Sequence, residues 1–143
     1  MEIIRVPCRP APHQWCSGVV WVGREIVGLQ PSRLLTFGAQ FGPGGRLAWH
    51  RCAYGRVVHV VHGTGRVQRR GGPVHEVIAG EWQWLGAAPN TFMAVVSAHE
   101  IDPDGGGIEW GAQVTDAEYQ LPPSGAILQR PDADRVPNRE ACW

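Results

Sequence analysis

Apolar residues along this chain come in short runs with a period near two, and hardly any stretch sustains the 3.6-residue period of an amphipathic helix. VVWV at 19–22, EIVGL at 25–29, RLLTFGAQF at 33–41, the Val-rich run from Arg56 to Gly63 and TFMAVVSAHE at 91–100 are each bounded by glycine, proline or polar residues. Short strands at that spacing predict an all-β sandwich or closed barrel. VVWV and EIVGL are expected to pair as a hairpin about Gly23-Arg24. Gly63-Thr64-Gly65 is expected to turn the chain tightly into RVQRR, and Gly71-Gly72-Pro73 to turn it again into VHEVI. GEWQWLGAAPN leads into the strand at 91–100, Asp102 to Gly107 is a loop, IEWGAQV is a last strand or edge segment, and Thr115 caps a short helical turn over 115–119. At the N-terminus, Pro7, Pro10 and Pro12 break any helix, so residues 1–16 form an extended arm that packs across a sheet edge or a partner subunit. From residue 121 on, four prolines among scattered charges describe an arm or tail rather than core.

The stretch from Gly44 to Gly63 gathers the polar chemistry. A Pro43-Gly44-Gly45 turn feeds a segment ending in Trp49-His50, a small-residue loop follows, and the Val-rich strand begins at Arg56. This predicts a hairpin-like unit. If His50 points inward then so does Cys52, and the next strand brings Arg56 opposite them. By the same alternation His59 faces outward and His62 inward, while Val95, Ser97 and His99 share one face of their strand. His75, Arg66, Arg69 and Arg70 read as surface residues.

Composition narrows the function. The 143 residues suffice for one domain with one core, and the 19 glycines and 12 prolines supply the turns that many short strands need. A formal net charge of zero favours neither nucleic acid nor an anionic membrane as partner. No apolar run approaches the roughly 20 residues of a membrane helix and the first residues lack a signal-peptide core, so a cytoplasmic location is expected. All 13 basic residues are arginine, which excludes Schiff-base chemistry, a lysine base and a P-loop. The cysteines at 8, 16, 52 and 142 form no CxxC pair, so neither a disulfide framework nor a structural zinc site is suggested.

The spacing of Gly44, His50, Cys52, Arg56 and Gly63 resembles the first cupin motif, whose positions normally hold Gly, His, His, Glu or Gln, and Gly. MEIIRV, WCSGVV, PGGRLAWH, GRVQRRGGPVHEV, GEWQWLGAAPNTFMA and EWGAQVTDAEYQ extend the resemblance over residues 1–120. Together they are similar to the small single-domain cupins around manganese-dependent hydroxynitrile lyases and carboxymuconolactone decarboxylase-like proteins. The resemblance implies a single cupin (jelly-roll) β-barrel over residues 1–120, with 121–143 as an arm or tail. It also implies a homodimer, because relatives exchange N-terminal strands. In such relatives three first-motif residues and a second-motif His hold a metal. Here His50 alone remains of the first three, Gln83 stands in the second-motif ligand position with Leu85 at the later His, and about eight residues are missing between Val77 and Gly80.

A catalytic metal needs three or four ligands, and a fixed guanidinium at a ligand position repels a divalent cation. No cofactor is therefore expected; if a divalent metal binds, the ligands are His50, Cys52 and His99. Without metal, Arg56 is placed to bind a carboxylate or enolate and stabilise negative charge, with His50 as general acid or base near neutral pH. Cys52 is a nucleophile if its neighbours lower its pKa, or else an inert core thiol. Trp49, Gln83, Trp84, His99 and Phe37 are the candidate substrate contacts. The structural alternative makes His50 a core imidazole and Arg56 half of an internal salt bridge to Glu81 or Glu109. The expected function is that of a metal-free cupin enzyme for a small, largely apolar substrate, catalysing a cyclisation, isomerisation or lyase step of the kind found in natural-product biosynthesis. The alternatives are a non-catalytic ligand-binding or structural cupin and a metal-dependent lyase with a rebuilt site. An enzyme requires His50 and Arg56 to line an open cavity; a relic buries them in a closed core.

Overall fold

A computed structural model describes residues 8–70, 82–104, 106–121 and 127–129. The N-terminal arm contains β1 (Arg9–Pro10), a 3-10 turn at His13–Trp15 and β2 (Cys16–Ser17). β3 (Val20–Val22), β4 (Ile26–Val27) and β5 (Leu34–Phe41) follow, then β6 (Arg46–Leu47), β7 (His50–Cys52) and the long β8 (Arg56–Arg69). β9 (Gln83–Ala87), β10 (Met93–Glu100) and β11 (Ile108–Trp110) precede helix α1 (Asp116–Gln120) and β12 (Ile127–Gln129). All the strand pairings are antiparallel.

β8 belongs to two sheets. Its first half pairs with β10, which pairs with β5, which carries β3 and β1. Its second half pairs with β9 and β12, and β9 carries β6 and β7. Gly63 sits at the changeover with φ of +80°, and a Cβ there would stand 1.8 Å from the Phe92 carbonyl oxygen, so only glycine lets the strand pass. The expected tight turn at Gly63 is therefore a bend inside one continuous strand.

The two sheets close on a core that mixes their inner faces. Ala39, Phe41, Val60, Met93 and Val95 from one sheet pack with Leu47, Leu85 and Ala87 from the other. Burying each large side chain contributes about 1.5–3 kcal/mol. On the outside of the second sheet a smaller cluster of Trp49, Trp84, Val114 and Tyr119 lies beneath α1, whose Thr115 forms a capping box with Glu118 as its sequence predicts.

Several local expectations are corrected. β3 and β4 do not pair with each other; both lie along β5, with Val22 opposite Ala39 and Ile26 opposite Thr36. β7 and β8 are not a hairpin, because β7 pairs with β9 and β11. His62 faces outward: Val95 pairs with Val60 but Ala94 with His62, and the skipped residue, Val61, inverts the alternation. The arm does cross a sheet edge, with Arg9 opposite Val22. Within 121–143, β12 adds a strand to β8 beside Arg66. The expected turn at 71–73, His75, the missing segment between Val77 and Gly80, and Glu81 lie outside the described residues. Among the described residues, no helix is long and apolar enough to cross a membrane.

Candidate active site

Strand alternation carries the polar side chains into the space between the sheets. On β7, His50 and Cys52 flank exposed Arg51 and are 0% and 2% exposed. Arg56 opens β8 in the facing sheet, opposite His99 of β10 in register, and Ser97 lies two residues along the same face. Phe37 of β5 is the register partner of Ser97. Gln83 of β9, 5% exposed, is the register partner of His50. The predicted meeting of His50, Cys52 and Arg56 is thus made across the barrel rather than along a hairpin.

Hydrogen bonds fix what each group does. The Ala48 carbonyl lies 2.9 Å from His50 Nδ1, which assigns the ring proton to Nδ1 and leaves Nε2 as acceptor. Arg56 Nη1 donates to that Nε2 at 2.8 Å, and Arg56 Nε donates to Ser97 Oγ at 2.6 Å. The guanidinium carbon stands 5.3 Å from the centre of the Phe37 ring, against which His99 packs edge-on at 6.2 Å. Among the described residues, two buried side-chain polar atoms have no partner: Arg56 Nη2 and His99 Nδ1. Among the described residues, the ion pairs are made by Arg33, Arg46 and Arg51, and none by Arg56. Glu109, a candidate partner for Arg56, pairs with Arg51 instead.

Burial dominates the electrostatics. It lowers the His50 pKa to about 3, helped by the Arg56 charge and only partly opposed by the Ala48 bond. His99 is lowered by the same two causes. Arg56 is pushed down to about 10 by burial and remains cationic at neutral pH. Burial pushes the Cys52 thiol up, with Arg56 pulling the other way.

These facts change the expected roles. His50 is a neutral imidazole at neutral pH, with Nδ1–H on the Ala48 carbonyl and Nε2 accepting from Arg56, an arrangement that holds the guanidinium in place. Cys52 is a buried thiol whose protonated form burial favours. Trp49 and Trp84 each neighbour an inward residue, His50 or Gln83, and lie in the cluster under α1, where their indole N–H groups donate to Glu118 and Gln68. His99 and Phe37 do join Arg56. Ser97 was legible from its parity with His99 but carries no chemistry of its own in sequence. The Ala48 carbonyl has no sequence signal.

The donors do not fit a divalent cation. The one imidazole nitrogen of His50 able to ligate accepts from a guanidinium, which is itself a buried cation at the position of a ligand. Among the described residues, no three His, Cys, Asp or Glu side chains come together to hold a metal, so His50, Cys52 and His99 are not assembled as a ligand set.

A cavity of about 50 Å³ adjoins the cluster, lined chiefly by Trp15, Phe37, Ala39, Leu47, Ile108 and Trp110. Trp15 of the arm stacks on Trp110 at 5.1 Å and 4°, and Trp110 leans on His50 at 5.3 Å. Phe37 is the shared wall between this apolar space and Arg56; neither His50 nor Arg56 lines it.

Known proteins place this geometry. No family model matches the chain. The (R)-mandelonitrile lyase of Granulicella tundricola is 34% identical over 131 residues, covering 84% of this chain and 99% of that one. A cupin-like protein from Thermotoga maritima superposes with a TM-score of 0.72 at 25% identity, covering 88% of this chain and all of the other. A polyketide cyclase from Streptomyces resistomycificus shares the fold, with a TM-score of 0.60 at 13% identity and coverage of 83% and 90%. With a barrel closed by β8, first-motif positions converging inside it, and a lyase relative matched along nearly its whole length, the chain belongs to the family of small single-domain, hydroxynitrile lyase-like cupins.

Proposed function

We propose that this cupin is a small-molecule enzyme of lyase or isomerase type whose cationic centre is Arg56 rather than a metal ion. The observation that carries this is the unpartnered Nη2 of a buried guanidinium with no carboxylate beside it among the described residues. A preorganised, desolvated cation stabilises an anion developing in a reaction far better than the same group in water. His99 supplies the base: burial and the Arg56 charge keep it neutral, and its free Nδ1 accepts a proton in the tautomer that carries hydrogen on Nε2. His50 and Ser97 hold the guanidinium in place, and Phe37 shields it.

The lyase relative supports a step in which a hydroxyl loses its proton as a carbon–carbon bond breaks and an anion departs. In this chain His99 takes that proton and Arg56 faces the departing charge. The protein is tested by measuring its metal content after purification without chelator, and aldehyde release from racemic mandelonitrile before and after chelator treatment. Cleavage by metal-free protein, lost in Arg56→Met and in His99→Phe, is the expected result. Activity that appears only with near-stoichiometric manganese or another divalent ion overturns the reading.

A second reading, a non-catalytic cupin, is favoured by one observation: His50 is 0% and Arg56 6% exposed, and neither lines the adjoining cavity. It predicts no cleavage by any preparation, and no ligand that reaches Arg56. A homodimer in the cytoplasm is part of the proposal and is checked by light scattering and fractionation.

A further inference from the structure

We infer that the barrel is a binding site for small carboxylate monoanions that bear a hydroxyl next to the carboxylate, the acid anchored by Arg56 Nη2 and the hydroxyl donating to His99 Nδ1. This deepens the metal-independent reading above and rests on it, because a divalent ion would need the space and the His50 nitrogen that the guanidinium takes.

Charge balance selects the class. Among the described residues, the groups facing Arg56 from β7, β8, β10 and β5 are His50, Cys52, Ser97, His99 and Phe37, and none of these is an anion at neutral pH. One guanidinium is neutralised by one negative charge, whereas a dianion would leave a buried excess. Nη2 has no partner and is free to donate a charge-assisted bond to a carboxylate oxygen.

Geometry selects the second group. Arg56 and His99 are register partners on adjacent strands, so their side chains leave the sheet on the same face about 5 Å apart at Cβ. A ligand bridging them has its second polar group one or two atoms from the acid. The Nδ1 of His99 is buried, 5% exposed as a residue, and unpartnered, and it pairs best with a donor that is itself neutral. A hydroxyl on the adjoining carbon meets both demands. The apolar remainder of the ligand lies past Phe37, toward the adjoining apolar cavity.

The full chain, freed of metal and checked for metal content, is titrated at constant ionic strength with glycolate, acetate and glycolamide, followed by tryptophan fluorescence and thermal unfolding. Glycolate is expected to bind saturably and roughly tenfold tighter than acetate, with glycolamide at least as weak as acetate. Arg56→Met is expected to lose both acids. His99→Phe is expected to lower glycolate to the level of acetate while leaving acetate unchanged. Arg56→Gln, which keeps a donor toward Ser97 and His50, serves if the Met variant does not fold. Equal shifts in the parent and in the Arg56 variants, glycolamide matching glycolate, or no saturable response at about 100 mM each overturn the inference. Binding that requires added metal overturns it together with the metal-independent reading. Glycolate binding as expected, in a protein that cleaves no mandelonitrile, upholds this site and sinks the lyase step alone.

Discussion

Arg46 and Arg56 are both buried, ten residues apart, and their surroundings differ in one decisive respect. Every guanidinium nitrogen of Arg46 has a partner: Nε and Nη2 donate to the Val114 carbonyl, Nη1 to the Gly44 carbonyl, and Nη2 also to Asp116 at 2.6 Å. Its planar group stacks over Tyr119, with the carbon 4.7 Å from the ring centre. Among the described residues, Arg56 has Ser97, His50 and the face of Phe37, with no carboxylate and one nitrogen idle. Arg46 staples the segment before α1 to the second sheet. Arg56 carries a desolvation cost that its own contacts do not offset, and unpaired buried charge of that kind concentrates where function needs it.

The largest effect tests that contrast directly. Arg46→Met strands the Val114 carbonyl and unties the helix, and is expected to lower unfolding free energy by about 3 kcal/mol. Arg56→Met removes an uncompensated charge but leaves His50 Nε2 and Ser97 Oγ short of a partner; the two effects offset, and the variant is expected to change stability by no more than about 1 kcal/mol while abolishing ligand binding. Urea unfolding of the two variants decides between them. Comparable losses in both would make Arg56 a second structural staple and remove the basis for its proposed role.

The strands and the cluster around Arg56 were partly legible in the sequence, whereas Arg46 carried no signal of its own, and the gaps have physical causes. The runs at 33–41 and 91–100 became β5 and β10 because alternation and bounding turns agreed. His50, Cys52 and Arg56 met inside the barrel because parity and motif spacing constrain them, although the route was misread: nothing local says that β7 and β8 join different sheets. Gly63 has the positive φ of a turn glycine, yet the chain runs on because the next half of the strand finds partners in the other sheet. The bulge beside Val61 is set by pairing with β10, so His62 looked inward from its own strand alone. Trp49 and Trp84 lie in the cluster under α1, a place that depends on where the helix packs and that local alternation alone does not reveal. The neutrality of His50 depends on total burial and a guanidinium across the barrel, neither of which a linear pattern contains.

Acid sharpens the same comparison. His50 has a folded pKa of about 3 against an unfolded value of 6.5, so the unfolded chain takes up a proton that the folded protein refuses. Its contribution is complete above pH 6.5 and is lost as pH falls toward 3, the loss amounting to about 3 kcal/mol by pH 4.5. His99 adds loss in the same direction. His50→Gln is expected to flatten this slope, and Arg56→Met to narrow its window by removing the second cause of the depression. A pH series of unfolding curves reads both. An unchanged slope in His50→Gln would mean that the imidazole is not the group refusing the proton.

The smallest effect concerns which partner satisfies Arg46. The Asp116 bond is short, but the Asp116 side chain is 82% exposed, so water and salt screen its charge. The Val114 carbonyl has no such alternative, since Val114 is 2% exposed and lies in the cluster under α1. Asp116→Asn keeps an oxygen that can accept from Nη2 and removes only the charge, which also sits in the first turn of the helix. The expected loss is about 0.5 kcal/mol at low ionic strength, shrinking toward zero at about 1 M salt. A loss approaching that of Arg46→Met, insensitive to salt, would make the carboxylate itself the condition for burying Arg46. The absence of a carboxylate at Arg56 would then be a sharper anomaly still, because the fold would have shown that it buries a guanidinium only with an anion in reach.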